Sequence, residues 1–227
     1  MRVIWRVSRA MACVAVFAST LLAQGAVSGQ VTILERPGEM SEDLANVVVF
    51  LEPVTTGRTK APAPVTTTIA LEKRQFSPRV RVVVEGSKVE FPNQDPFSHN
   101  VFSKANGGFD TGSFGRGKTR DHLFQQAGVY ALYCNVHPRM TAFVIALNTP
   151  YYTQAGVDGR FAFDSVPPGT YKLHVWHDRA DAQVRDVRVT ATGVRNLVVE
   201  LDAKGYKYVQ HRNKFGQVYT SATGDRY

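Results

Sequence analysis

The chain has 227 residues, 44% hydrophobic and 11% aromatic, enough for one or two domains with a proper core. Its formal charge of +8 divides unevenly: residues 1–29 carry +3, residues 203–227 carry +4, and residues 30–202 carry 19 basic against 18 acidic side chains. A nearly neutral body argues against nucleic acid as a partner and leaves only the basic tail as a surface for acidic partners or a membrane face.

Residues 1–29 read as an export signal. Arg2, Arg6 and Arg9 form a basic start, Ala10 to Ala23 an apolar stretch too short to span a bilayer, and small residues from Ala23 to Gly29 offer cleavage sites. The expected location is periplasmic or secreted. Cys13 would leave with the signal, so the exported chain would keep Cys134 alone, which can form no internal disulfide and is either a ligand or a free thiol.

Beyond residue 30 no helical periodicity of useful length appears, and short β-branched and aromatic runs recur between Gly, Pro, Asn and Asp clusters, so the expected fold is all-β. Strands are predicted at Gln30 to Leu34, Asn46 to Leu51, Thr66 to Leu71, Arg79 to Val84, Lys88 to Phe91, Asn100 to Phe102, Thr119 to Phe124, Val129 to Tyr133 and Thr141 to Leu147. A second group follows at Gly159 to Phe163, Gly169 to His177, Ala182 to Thr190 and Arg195 to Leu201. Val54 to Pro64 reads as a linker or long loop, and the Gly- and Ser-rich Phe109 to Lys118 as turns.

The run Cys134-Asn135-Val136-His137-Pro138-Arg139-Met140 places a thiolate, an imidazole and a thioether close together, and His99 upstream supplies a second imidazole. Two imidazoles, a thiolate and a weak thioether suit copper cycling between its two charges. Zinc has little use for a Met ligand, and calcium and magnesium want oxygen donors. Asn100 can tie the His99 segment to the Cys134 loop and donate toward the thiolate. One cysteine cannot build a thiolate-bridged binuclear centre, and no His-x-His pair is present for a trinuclear one, so electron transfer rather than enzymatic catalysis is expected.

These residues carry a resemblance. From about Ser77 to Leu147 the chain resembles the cupredoxins, the family of plastocyanin, pseudoazurin and amicyanin. The resemblance rests on His99-Asn100-Val101 after Phe91, Asn93 and Asp95, and on Gly128-Val129-Tyr130-Ala131-Leu132-Tyr133-Cys134 followed by His137. The two-residue gap before Met140 is similar to that of amicyanin. The resemblance implies a Greek-key β-sandwich holding one type 1 copper, with His99, Cys134 and His137 as strong ligands, Met140 as weak axial ligand and the Ser98 carbonyl facing the metal. Asn135 departs from the Ser or Thr often found there.

Val157-Asp158-Gly159-Arg160-Phe161-Ala162-Phe163 and Val166-Pro167-Pro168-Gly169-Thr170-Tyr171 resemble the carboxypeptidase regulatory-like domains, small sandwiches of the transthyretin or carbohydrate-binding type. That implies fold and not activity. The first strands of such a unit match Gly29 to Thr32 and Asn46 to Leu51, far upstream. The expected organisation is therefore residues 1–29 signal, 30–53 N-terminal strands belonging to the second sandwich, 54–148 cupredoxin inserted into it, 149–202 the rest of that sandwich, and 203–227 a basic and aromatic tail. The arrangement also looks like plastocyanin-like proteins labelled methylamine-utilisation proteins. His174 and His177 should point to opposite faces of one strand, and His122 and His211 have no ligand-like neighbours. The expected function is a periplasmic carrier of single electrons, with a c-type cytochrome or periplasmic oxidoreductase as partner. The alternatives are a carbohydrate- or protein-binding module with accessory copper, and copper storage or delivery.

Overall fold

The computed structural model describes residues 25–55 and 62–219. The basic and apolar parts of the expected signal, Cys13 included, lie outside the described residues, as do residues 56–61 of the expected linker and residues 220–227 of the tail. In chain order the strands are β1 Gly25–Leu34, β2 Val48–Pro53, β3 Thr66–Thr68, β4 Ala70–Glu72, β5 Gln75–Ser77, β6 Val80–Val84, β7 Ser87–Pro92, β8 His99–Ser103 and β9 Phe109–Phe114. They continue with β10 Thr119–Phe124, β11 Gly128–Tyr133, β12 Thr141–Leu147, β13 Tyr152–Gln154, β14 Arg160–Val166, β15 Gly169–His177, β16 Ala180–Val189 and β17 Val194–Asp202. Among the described residues the fold is all-β, relieved by one 3-10 turn at Leu44–Asn46. Among the described residues no helix is long and apolar enough to cross a membrane.

The sheets β10-β7-β3 and β6-β12-β11-β8-β9 enclose one core, built on Phe91, Val101, Phe124, Leu132, Val144 and Met140. The sheets β14-β1-β17 and β13-β2-β15-β16 enclose another, built on Val31, Val49, Leu51, Phe161, Leu173 and Leu201. β1 lies between β14, antiparallel, and β17, parallel, while β2 pairs with β13 and β15. The chain therefore enters the second sandwich twice, on either side of the first.

The apolar run Val47 to Leu51 shows how the two units meet. An alternating pattern would mark a strand wet on one face, but here the run is nearly continuous because both faces are covered. Val47, Val49 and Leu51 fill the core of their own sandwich, while Val48 and Phe50 turn outward with Tyr152 and Trp176 onto Val80, Val82, Phe143, Ile145 and Leu147 of the other unit. Arg79 fastens this junction from its margin, donating to both carboxylate oxygens of Asp178 at 3.0 and 2.6 Å.

Some boundaries depart from the sequence expectation. β1 begins at Gly25, ahead of the predicted start at Gln30, and a Cβ at Gly29 would lie 2.3 Å from the Leu197 carbonyl oxygen, so close strand packing favours a glycine there. Phe109–Phe114 is a strand and not a run of turns. It pairs with β8 through a register slip between Asn100 and Phe102, with Gly112 at φ 69°, so its Gly and Ser content records a bulge. The short β5 and β13 carry too few residues to show a period.

Candidate metal centre

β8 begins on His99, and β11 ends on Tyr133, so both strands deliver their candidate ligands to one end of the first sandwich. β11 and β12 form an antiparallel pair, and the segment between them is a tight loop. The Cys134 N–H donates to the Met140 carbonyl at 3.3 Å, and the Met140 N–H donates to the His137 carbonyl at 3.1 Å. The Cys-x-x-His-x-x-Met spacing thus folds back on itself and keeps all three side chains at the sandwich end.

Cys134 Sγ lies 3.7 Å from His99 Nδ1 and 3.6 Å from His137 Nδ1, and the three donor atoms lie within 4.8 Å of one another. Two nitrogens and a sulfur around one first-row ion, at bond lengths of about 2.0–2.1 and 2.3 Å, would stand roughly 3.6–3.8 Å apart from N to S. The spacing and the donor chemistry therefore fit a soft transition metal. Cys134 and His99 are fully buried, Met140 is 1% exposed beside Cys134 in the same core, and His137 is half-buried. Ser98 is exposed and directly precedes His99.

The surroundings fix the protonation states the site needs. His99 Nε2 stands 2.8 Å from Asp95 Oδ2, and burial pushes the His99 pKa down despite that carboxylate. The imidazole is then neutral, with its proton on Nε2 facing Asp95 and the Nδ1 lone pair facing the sulfur. Asp95 also accepts the backbone N–H groups of Lys73 at 2.7 Å and Arg74 at 2.9 Å, which with His99 hold its carboxyl low although burial works the other way. Asn93 shapes this turn, accepting the Asp95 N–H at 3.0 Å and donating to the Phe97 carbonyl at 2.8 Å. The Phe97 ring packs against His99 and His137, with centroids 5.2 and 5.3 Å away.

Burial pushes the Cys134 thiol up, opposed by the backbone N–H groups of Asn100, Val136 and His137. A metal-free site therefore holds a protonated thiol at neutral pH and must release that proton when a cation binds. Apparent affinity for cobalt(II), a spectroscopic probe that does not oxidise thiols, is expected to rise about tenfold per pH unit through the neutral range, the slope of a one-proton linkage. A titration showing pH-independent affinity would contradict a buried thiol as ligand.

Asn100 ties the two segments together: its Oδ1 accepts the Asn135 N–H at 3.3 Å, and its Nδ2 donates to the Asp110 carboxylate and to the Gly112 carbonyl. Asp95, one of the residues on which the resemblance rests, gains its place beside His99 from the fold. Lys214 and Tyr219 sit in a tail whose aromatic and basic interleaving was visible while its destination was not. His211 packs on Tyr133, with ring centroids 4.6 Å apart, and on Tyr219. Away from the centre, His174 stacks on Phe50 and contacts Glu52, His122 stacks on Phe109, and His177 lies buried among Asp43, Asp178 and Arg179.

Solved structures similar to this chain include a purple cupredoxin from Nitrosopumilus maritimus, at 26% identity over 36% of this chain and 99% of that one, with a TM-score of 0.33. Amicyanin from Paracoccus versutus matches at 21% identity over 43% of this chain and 97% of that one, with a TM-score of 0.35. A copper-containing nitrite reductase from Thermus scotoductus SA-01 matches at 24% identity over 52% of this chain but only 28% of that one, with a TM-score of 0.35. No curated protein matches. The profile for domain II of polysaccharide lyase family 4 matches residues 142–197, where the sequence had suggested a carboxypeptidase regulatory-like unit. The site-bearing unit is a β-sandwich that brings His99, Cys134 and His137 together as a candidate metal site.

Proposed function

We propose that the chain is a periplasmic or secreted carrier of single electrons, holding one type 1 copper on His99, Cys134 and His137, with Met140 as weak axial ligand and the Ser98 carbonyl opposite. The convergence of two Nδ1 atoms on a buried thiol carries this reading. Copper bound there would supply a one-electron couple. The protein's part is to hold mixed donors so firmly that neither oxidation state rearranges them: Asp95 orients His99, and the Asn100, Val136 and His137 N–H groups face the sulfur. The basic and apolar start of the chain supports export.

Half-buried His137 is the exit route in this proposal. Next to the centre, a groove of about 690 Å³ around Phe97 and Met140 is lined by Lys73, Arg74 and Arg139, by Arg79, which is paired with Asp178, and by Asp95, which is bound to His99. Such a rim suits an acidic partner, for example an acidic c-type cytochrome. Reversing Lys73 and Arg139 to Glu is expected to slow electron exchange with such a partner about tenfold or more at low salt, and the difference should vanish as ionic strength rises. Stopped-flow rates that ignore both charge and salt would overturn this docking face; failure of the copper-loaded chain to cycle one electron reversibly would overturn the carrier.

A second reading attaches to the other sandwich. The match of residues 142–197 to domain II of polysaccharide lyase family 4 supports a glycan-binding role beside the copper centre. Retention of the full chain on a polysaccharide column, released by soluble glycan, would favour it.

A further inference from the structure

We propose that the C-terminal segment 206–219 is a strap that positions the Cys134–Met140 loop and thereby forms part of the copper centre. This rests on the copper-carrier reading above. After β17 the chain leaves the second sandwich and crosses back to the end of the first, where it meets the ligand loop at successive points. Tyr208 Oη donates to the Pro138 carbonyl at 3.4 Å, the Lys214 N–H donates to Asn135 Oδ1 at 2.9 Å, and Tyr219 Oη donates to the Cys134 carbonyl at 2.7 Å. Asn213 stiffens the strap where it touches the loop, its Oδ1 accepting the N–H groups of Phe215 at 3.0 Å and Gln217 at 2.9 Å.

The bonds close into a ring. The Asn135 N–H donates to Asn100 Oδ1, Asn135 Oδ1 accepts from the Lys214 N–H, Lys214 Nζ meets Asp110 Oδ2 at 2.6 Å, and the other Asp110 oxygen accepts from Asn100 Nδ2. Two members of the ring, Asn100 and Asn135, directly follow ligands. The strap thus joins the segment after His99 to the segment after Cys134 through Asn135, whose side-chain carbonyl accepts the Lys214 N–H while its backbone N–H donates to Asn100. Tyr219 adds a donor on the carbonyl of the thiolate residue itself, which draws electron density from that residue.

Lys214 and Tyr219 are therefore positioning residues, and removing such supports typically costs about 10- to 100-fold in metal affinity. The test compares the full chain with its Tyr219→Phe, Lys214→Met and Lys214→Arg variants. Readouts are copper(I) release to a chelator, the visible and EPR spectrum, the reduction potential, and amide exchange at Cys134 and Asn135 in the metal-free protein. Tyr219→Phe and Lys214→Met are expected to release copper about tenfold faster, to shift the potential or spectrum, and to speed exchange at both amides. Lys214→Arg, which keeps the cation facing Asp110, is expected to restore the parent behaviour. If Tyr219→Phe and Lys214→Met match the parent in all four readouts, the strap has no positioning role. If the parent chain itself shows no thiolate-to-copper band, the carrier reading fails instead, and amide exchange still reports on the strap.

Discussion

A chain lacking residues 25–53 is expected to lose the second sandwich entirely. β1 is the middle strand of the sheet β14-β1-β17, so its removal leaves β14 and β17 with no partner between them, and removing β2 separates β13 from β15. The deletion also takes Val27, Val31, Ile33, Val47, Val49 and Leu51 from the core, several of them wholly buried. Each large apolar side chain lost from a core costs about 2–5 kcal/mol, so a handful exceeds the roughly 5–15 kcal/mol that holds a domain folded. The same deletion bares Val80, Ile145 and Leu147, which Val48 and Phe50 cover, so the unit holding the candidate metal site should become prone to association. The complementary fragment 149–202 should show neither dispersed amide resonances nor a cooperative thermal transition. A stably folded 149–202 fragment would mean that the sandwich does not depend on its distant strands.

Arg179→Met is expected to destabilise the chain by about 3–5 kcal/mol, the usual cost of stranding buried charge. The Arg179 guanidinium meets Glu35 Oε1 at 2.7 Å and Asp43 Oδ1 at 2.6 Å, and the Glu35 side chain is only 8% exposed. His177, buried with its Nε2 3.4 Å from Asp43, cannot take over the cation's role, because burial pushes its pKa down. Neutralising the acids along with the arginine, as Glu35→Gln and Asp43→Asn, should recover most of the loss, since what destabilises is unpaired charge. Urea midpoints measure both effects. A loss under about 1 kcal/mol for the single variant would place this cluster among ordinary surface ion pairs.

The candidate ligands were legible because their chemistry is local: three of the four lie within seven residues, and the loop they form closes on its own backbone. The all-β class was legible from periodicity in long strands such as β12 and β15. β9 was not, because a bulged strand with Gly112 looks like turn chemistry in one dimension. The destination of the tail depends on tertiary contact alone. No pattern in Tyr206 to Tyr219 says that a tyrosine hydroxyl will find the Cys134 carbonyl, 85 positions away in sequence. Asp95 was visible beside His99 in the motif, but its bond to the imidazole arises only when the intervening turn folds the two face to face.

The central claim is the thiolate-copper bond at Cys134, and the visible and EPR spectrum of the copper(II)-loaded full chain, recorded beside Cys134→Ser, tests it most directly. The predicted result is an intense thiolate-to-copper band with a narrow copper hyperfine splitting in the parent, both lost in the variant. A colourless copper(II) parent, or a Cys134→Ser variant with the same spectrum, would contradict it.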